Sequence, residues 1–366
     1  MYVYTWERGE KRNINDNYIH IYFPFIKNKV NNFIKYVLFI VWVPYKILLN
    51  VKCNDVIIFM DLETIVLGFV TAKLKKAVII WDIVDPFCEA KNINCYLIKK
   101  IIQYIEFLFM KIADIVIVPH KCRIDYYYDE INKKIDTDNL IVIENVFDPR
   151  IFSFEDINKI NNKSKIEKLN KFINSNKNRL ILIGYFGRID SRKGLKYLLN
   201  LAIKYPDFIG LVIAGKNIND VGINFYTKIF NNIFYWGEFS QIELPILYKY
   251  IDFIWAYYSP EIKLHKYAAP NKYYEHLYFK KPIITSRVMP QSEEISRMNS
   301  GIILDKLEES KDFMDKLIIE MERLKRSNIY QSINKLQKTY LNYYDEKSKE
   351  LIWMIKSAKK RNKISD

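Results

Sequence analysis

The chain has 366 residues, enough for two domains with separate cores, and half of them are hydrophobic, which excludes the disordered and low-complexity classes. Fifty-seven basic against 42 acidic residues give a formal charge of +15, an excess that suits an anionic partner. Part of it lies in Asn/Ile/Lys-rich text such as Lys159 to Lys177, a compositional habit rather than a binding signal.

In chain order, Tyr2 to Thr5 and Ile19 to Phe23 read as short strands. The charged segment Glu7 to Arg12 follows Met1 too closely for a secretory leader. The most apolar stretch, Tyr36 to Tyr45, is too short to span a bilayer and is bounded or broken by Lys35, Pro44 and Lys46. With Phe33, Trp42 and Lys29 it suits either a helix at a lipid head-group boundary or a buried core helix, and both readings stay open.

Asp55 to Phe59 is a buried strand with Asp61 at its carboxyl end, followed by a helix through Lys73. Ala77 to Trp81 is the next strand, ending in Asp82, Asp85 and Pro86. A helix from Cys95 to Ile112 leads to strands Asp114 to Val118 and Leu140 to Ile143, before Asn145. This alternation predicts a parallel sheet, in which ligands sit at the carboxyl ends of strands, where Asp61, Asp82, Asp85 and Asn145 fall. Taken singly, each is equally a cap or turn residue. Cys53, Cys88, Cys95 and Cys122 have no metal-ligand spacing, so reduced thiols in a cytosolic setting are expected.

Phe147 to Asn178 is polar and Asn/Lys-rich and marks the boundary, with a helix expected around Lys163 to Ile173. Alternation then restarts with strands Leu180 to Ile183, Ile209 to Ala214, Ile233 to Trp236, Phe253 to Ala256 and Pro282 to Thr285. Gly187, Arg188, Lys193 and Gly194 follow the first of these, and Leu195, Leu198, Leu199 and Ala202 then fall on one helix face. A strand, a basic glycine-bearing loop and a helix N-terminus make an anion site, though an ordinary strand-to-helix connection has the same text. From Lys266 to Ser286, Pro270 and Asn271 start a helix that places Lys272 and Glu275 about one turn apart. There a carboxylate can accept both hydroxyls of a ribose and an ammonium can face a phosphate; a capped surface helix is the bland alternative.

In order, GYFGRIDSRKGLKYLLNLA, LVIAGK, IFYWGEFSQIELPILYKYIDFIWAYYS and APNKYYEHLYFKKPIITS resemble the carboxyl-terminal domain of GT-B glycosyltransferases, most closely the retaining family 4 type that builds bacterial surface polysaccharides. DVIIFMDLETIVLGFVTAKL, AVIIWDIVDPF, ADIVIVPH and VIENVFDP are similar to that family's acceptor domain. The resemblance implies an α/β GT-B fold of two Rossmann-like domains with a cleft between them. The expected division is an acceptor-side domain at 1–150, a polar linker at 151–178, a nucleotide-sugar domain at 179–338, and an amphipathic helix at 339–366 crossing back to the first domain.

By the same resemblance Gly187, Arg188 and Lys193 would hold the donor diphosphate, Lys216 with Gly237, Glu238 and Phe239 would lie near the base, and Tyr257 to Pro260 near the sugar and phosphates. Pro270, Asn271 and Lys272 would complete the site, and Glu275 would bind the ribose. The implied donor is a nucleotide diphosphate sugar, UDP- or GDP-linked, used without metal or cofactor, and the implied acceptor is a glycan or a lipid-linked glycan. A cytoplasmic enzyme with peripheral contact at the inner face of the plasma membrane is expected, with no nucleic-acid partner. Asp61 and Asp85 are candidates for acceptor contact, no residue is assigned as general base, and His120 is ranked structural.

The chain departs from the family in three ways. The nearest Glu upstream of Glu275 is Glu261, too distant for the family's paired-Glu spacing; the family's cleft histidine is unassigned; and the text begins near the family's second strand, without its first strand and glycine-rich loop. The alternative function is therefore a truncated or degenerate relative that binds nucleotide or a partner protein without efficient catalysis.

Overall fold

The computed structural model describes residues 2–5, 19–22, 32–132, 138–148, 163–176, 180–189, 191–216, 222–327 and 329–364, with side chains described from residue 38 onward except those of Ser191, Lys363 and Ile364. The segment Glu7 to Arg12, Lys29, Pro149 and Lys159 lie outside them, as do the side chains of Phe33, Lys35 and Tyr36. The chain divides into two units, Met1–Ile143 with Lys347–Asp366, and Glu144–Glu346.

In the first unit, β1 (Tyr2–Thr5) and β2 (Ile19–Tyr22) pair in parallel as a separate sheet. After α1 (Asn32–Asn50), the strands β3 (Val56–Met60), β4 (Val78–Asp82), β5 (Ile115–Val118) and β6 (Leu140–Val142) form a parallel sheet in that order. The connections are α2 (Asp61–Leu74), the single turn α3 (Phe87–Ala90) with α4 (Tyr96–Ile112), and α5 (Cys122–Ile131). Each step moves one strand in the same direction, so right-handed crossovers put α2, α4 and α5 on one face. Phe109 of α4 packs edge-on against both Trp81 of β4 and Phe69 of α2. The other face holds Ile80, Ile115, Ile117 and Ile141, covered by Met354 from the chain's end.

Pro44 does not end α1, which runs on to Asn50. A proline removes one backbone hydrogen bond from a helix interior, and neighbouring turns carry it. Nor is α1 a buried core helix over its described length, since Leu38, Val41, Tyr45 and Leu49 are exposed.

The second unit contains α6 (Lys163–Asn176), β7 (Ile181–Phe186), α7 (Leu195–Lys204), β8 (Ile209–Ala214), α8 (Ile223–Ile229), β9 (Ile233–Gly237), α9 (Leu244–Tyr250) and β10 (Phe253–Ala256). It continues through α10 (Asn271–Phe279), β11 (Ile283–Ser286), α11 (Ser292–Arg297), β12 (Gly301–Leu304), α12 (Lys311–Arg326) and α13 (Ile329–Lys338) to the start of α14 (Tyr343–Ile364). Leu195, Leu198, Leu199 and Ala202 are all buried, as their helical spacing predicts. The helix expected in the polar segment is α6, and its Leu169 and Ile173 belong to this unit's core. Strand β12 was not among the predicted strands.

The six strands are parallel in the order β12-β11-β10-β7-β8-β9, so β7 and β10 are neighbours from which the chain winds in opposite directions. Connections leaving two such strands go to opposite faces and open a crevice at their carboxyl ends. Backbone bonds lock the loops there: Gly187 N–H donates to Ala214 O (2.9 Å), Ile189 N–H to Lys216 O (3.1 Å) and Gly215 N–H to Gly237 O (2.8 Å).

Gly215 makes this packing possible. Its φ is +149°, and a Cβ there would sit 1.7 Å from the Gly187 carbonyl oxygen, whereas a Cβ on Gly187 (φ +135°) meets nothing within 4 Å. Gly215→Ala is expected to cost more than about 3 kcal/mol in urea unfolding, and Gly187→Ala only the strain of its backbone, about 1–2 kcal/mol. Equal losses would show that the close approach does not matter.

Candidate functional site

The crevice between β7 and β10 is a cavity of about 330 Å³. Gly187, Arg188 and Lys193 enter it from the loop after β7, and Tyr257 from the loop after β10. Pro270, Asn271 and Lys272 face it from the N-terminus of α10. Arg188, Lys193 and a helix N-terminus, with no carboxylate among the lining residues, favour an anion in this space, while the third lining cation, Lys272, is ion-paired with Glu275 behind the rim. At this N-terminus Tyr273 N–H donates to the Pro270 carbonyl (3.2 Å), and the dipole of α10 is positive at this end.

Each cation is positioned by its neighbours. The Arg188 carbonyl accepts from Tyr185 Oη–H (3.0 Å), and the Lys193 carbonyl accepts from Trp255 Nε1–H (2.9 Å). Lys193 Nζ lies 5.7 Å from the Tyr258 ring centroid, a cation–π distance. Lys272 Nζ donates to both oxygens of Glu275 at 2.8 and 2.6 Å, and Tyr248 Oη–H donates to Glu275 Oε2 at 2.7 Å. Glu275 is thus buried one turn behind the cavity rim, and burial beside its charge pushes the Tyr248 hydroxyl pKa well up.

The remaining donor-side candidates lie beside the cavity rather than on its wall. Lys216 is exposed and joins the β7 loop through its carbonyl; Gly237 (φ +90°) accepts from Gly215. Glu238 is exposed, and Phe239 packs edge-on against Phe186 at 6.5 Å. Residue-type reasoning missed Tyr185, Phe186, Trp255, Ala256 and Ala269, which form the cavity's apolar wall. Their signal is positional, since most of them end or flank β7 and β10.

In the first unit, Asp61 opens α2 with φ of +60°, and its Oδ1 is buried with no hydrogen-bond partner among the described residues. Burial raises its pKa, offset in part by a backbone hydrogen bond from Val84. Asp82, at the end of β4, is pushed up to about 6 by burial and by the charge of Asp61. Asp85 is half exposed and pairs with Nη2 of the buried Arg123. His120 is buried with Nδ1 accepting from Cys122 N–H (3.2 Å), and burial lowers its pKa to about 4, so its ring is neutral. Among the described residues, no group of three or more His, Cys, Asp or Glu side chains is placed to hold a metal ion.

A folded-state pKa of about 6 for Asp82, against an ordinary value of 3.8 for a solvated aspartate, means that the native state holds this proton more tightly than the unfolded one. The penalty is absent below pH 3.8, grows as pH rises to about 6 and is complete above it. Asp82→Asn is therefore expected to raise stability by about 1–3 kcal/mol at pH 7.5 and to leave it unchanged at pH 3.5. Parallel denaturant melts at the two pH values measure this; equal effects would show that ionisation is not the cause.

No protein-family model and no curated protein matches the chain. Solved structures do. Anabaena HepE, crystallised with UDP and glucose, superposes with a TM-score of 0.60 at 14% identity over 93% of this chain and 86% of its own. A glycosyltransferase from Rickettsia africae gives 0.57 at 17% identity over 93% and 85%. WaaG, a glycosyltransferase involved in lipopolysaccharide biosynthesis, gives 0.54 at 13% over 93% and 90%. At such identities the likeness defines the fold alone: the chain has the GT-B fold, with two Rossmann-like parallel-sheet domains of four and six strands.

Proposed function

We propose that the protein is a retaining glycosyltransferase that moves a sugar from a nucleoside diphosphate sugar, UDP- or GDP-linked, to a glycan or lipid-linked acceptor in surface polysaccharide synthesis. The observation that carries this reading is the cationic cavity at the β7/β10 switch point, framed by Arg188, Lys193 and the α10 N-terminus. HepE, of the same fold, was crystallised with UDP and glucose, and separately with UDP-glucose.

In this reading Arg188 and Lys193 hold the diphosphate and offset the charge that grows on it as the glycosidic bond breaks, a role that needs no metal. The Glu275 carboxylate accepts from the ribose hydroxyls while Lys272 leans toward phosphate. Lys216 and Gly237 to Phe239 lie on the base side, and Tyr257 meets the sugar. Asp61 and Asp85 contact the acceptor. A lipid-linked acceptor sets the reaction in the cytoplasm at the inner face of the plasma membrane.

The test is thermal stability with UDP, GDP, ADP, CDP and dTDP, repeated with Lys193→Ala. A ligand bound only by the folded state raises the melting temperature as its concentration exceeds its dissociation constant. One base is expected to give a shift that the variant loses. No shift with any of the five would overturn the donor assignment and favour a degenerate protein that binds a partner instead.

A further inference from the structure

Part of the Asn/Lys-rich text between Lys159 and Lys177 folds into α6, and its contacts fix how that helix lies. Asn176 Nδ2 donates to the Asn231 carbonyl (3.3 Å) just before β9, Phe172 packs on Phe234 within the strand (ring centroids 5.4 Å apart), and Lys165 Nζ stands 5.6 Å from the Trp236 ring centroid near its carboxyl end. The helix therefore runs antiparallel to β9. Leu169 and Ile173 hold it in the core, and Asn170 accepts from Tyr250 Oη–H (3.0 Å). Lys165 is thus delivered to the edge of the sheet that carries the donor cavity.

The ammonium faces open space over Gly237. A Cβ on Gly237 would have one neighbour within 4 Å among the described residues, Lys165 Nζ at 3.7 Å. The Gly237 carbonyl accepts from Gly215 N–H (2.8 Å), and Gly215 in turn lies against the carbonyl of Gly187, on the cavity wall. Phe239 packs against Phe186, which also lines the cavity. Strands β7 and β9 are two spacings apart, about 10 Å, so an anion held by Arg188 and Lys193 and a group beside Gly237 can belong to one extended ligand. Among the described residues no carboxylate is ion-paired with Lys165; its partner is the face of Trp236, which orients the ammonium without consuming its three donors.

We propose that Lys165 selects the base of the nucleotide by donating to a ring carbonyl. The proposal rests on the donor reading above, which puts Gly237 to Phe239 on the base side. An ammonium has donors and no acceptor. It takes the exocyclic oxygen of uracil or guanine, whereas the amino group that cytosine or adenine carries at the equivalent position sets donor against donor.

The experiment is a melting-temperature titration of the full chain with UDP, CDP, GDP and ADP, for wild type, Lys165→Met and Lys193→Ala. Wild type is expected to bind the oxo member of at least one pair, UDP over CDP or GDP over ADP, about tenfold or more tightly. Lys165→Met keeps the stem over Trp236 and the ligand-free melting temperature; it is expected to weaken the oxo nucleotide about tenfold and to leave the amino one unchanged. A wild-type preference for CDP or ADP, or a Lys165→Met variant that weakens both members of a pair equally, overturns the proposal. A shift that Lys193→Ala abolishes and Lys165→Met spares overturns it while leaving the donor site standing. A shift with none of the four nucleotides, or one that Lys193→Ala leaves intact, overturns the donor reading and this proposal with it.

Discussion

Arg188→Ala is expected to lower sugar transfer by about 10²-fold or more while leaving the melting temperature within a degree or two. The side chain is exposed, and among the described residues it is the backbone that takes part in the fold, through the Tyr185 bond to its carbonyl. Stability therefore does not depend on the guanidinium. Catalysis does, in the proposed reading, because the charge on the leaving diphosphate grows toward the transition state and a cation already lining the cavity offsets it. The measurement is initial rate against donor concentration, with kcat and KM separated. A variant with near-wild-type kcat would remove Arg188 from the site.

Glu275 poses the opposite case, since its side chain serves the fold as well as the site. Removing it by Glu275→Ala leaves the half-buried Lys272 ammonium and the buried Tyr248 hydroxyl without their acceptor, a loss of about 3–5 kcal/mol. Loss of activity in that variant would not distinguish the two roles. Glu275→Gln separates them, because its amide oxygen still accepts from Tyr248 and the shape is kept. The expected result is a folded protein in which the nucleotide-induced thermal shift falls by more than half and transfer drops about tenfold to a hundredfold. Unchanged nucleotide affinity in the folded Gln variant would confine Glu275 to holding Lys272 and Tyr248.

Much of the second unit was legible in its text because the signals are local. Apolar β-branched runs at Leu180 to Ile183 and Ile209 to Ala214 have no stable place but a sheet buried on both faces. The spacing of Leu195, Leu198, Leu199 and Ala202 fixes one helix face, and Pro270 with Asn271 marks the start of α10. The cationic residues at these junctions were found for the same reason, since a residue's place at a strand end is set by its immediate neighbours. Strand β12, Gly301–Leu304, is no shorter than β10 or β11, but it opens on a glycine, a residue that strands disfavour, and was missed.

By itself, then, the sequence determined the α/β alternation, the two-part organisation and the cationic loops that end the strands, because each depends on contacts within a few residues. The tertiary structure alone decided which strand ends meet. The reversal between β7 and β10 brings Tyr185 and Phe186 to face Trp255 and Tyr258, some seventy residues away, and so turns two loops into one cavity. It also decided the direction of α4, which buries Phe107 and Met110 together with Gln103 and Glu106 and exposes Leu97, Ile101 and Leu108. Their burial was forestalled by Tyr126, Tyr127, Glu130 and the Phe87 amide, whose hydrogen bonds hold Gln103 and Glu106 inside and leave the leucines facing out.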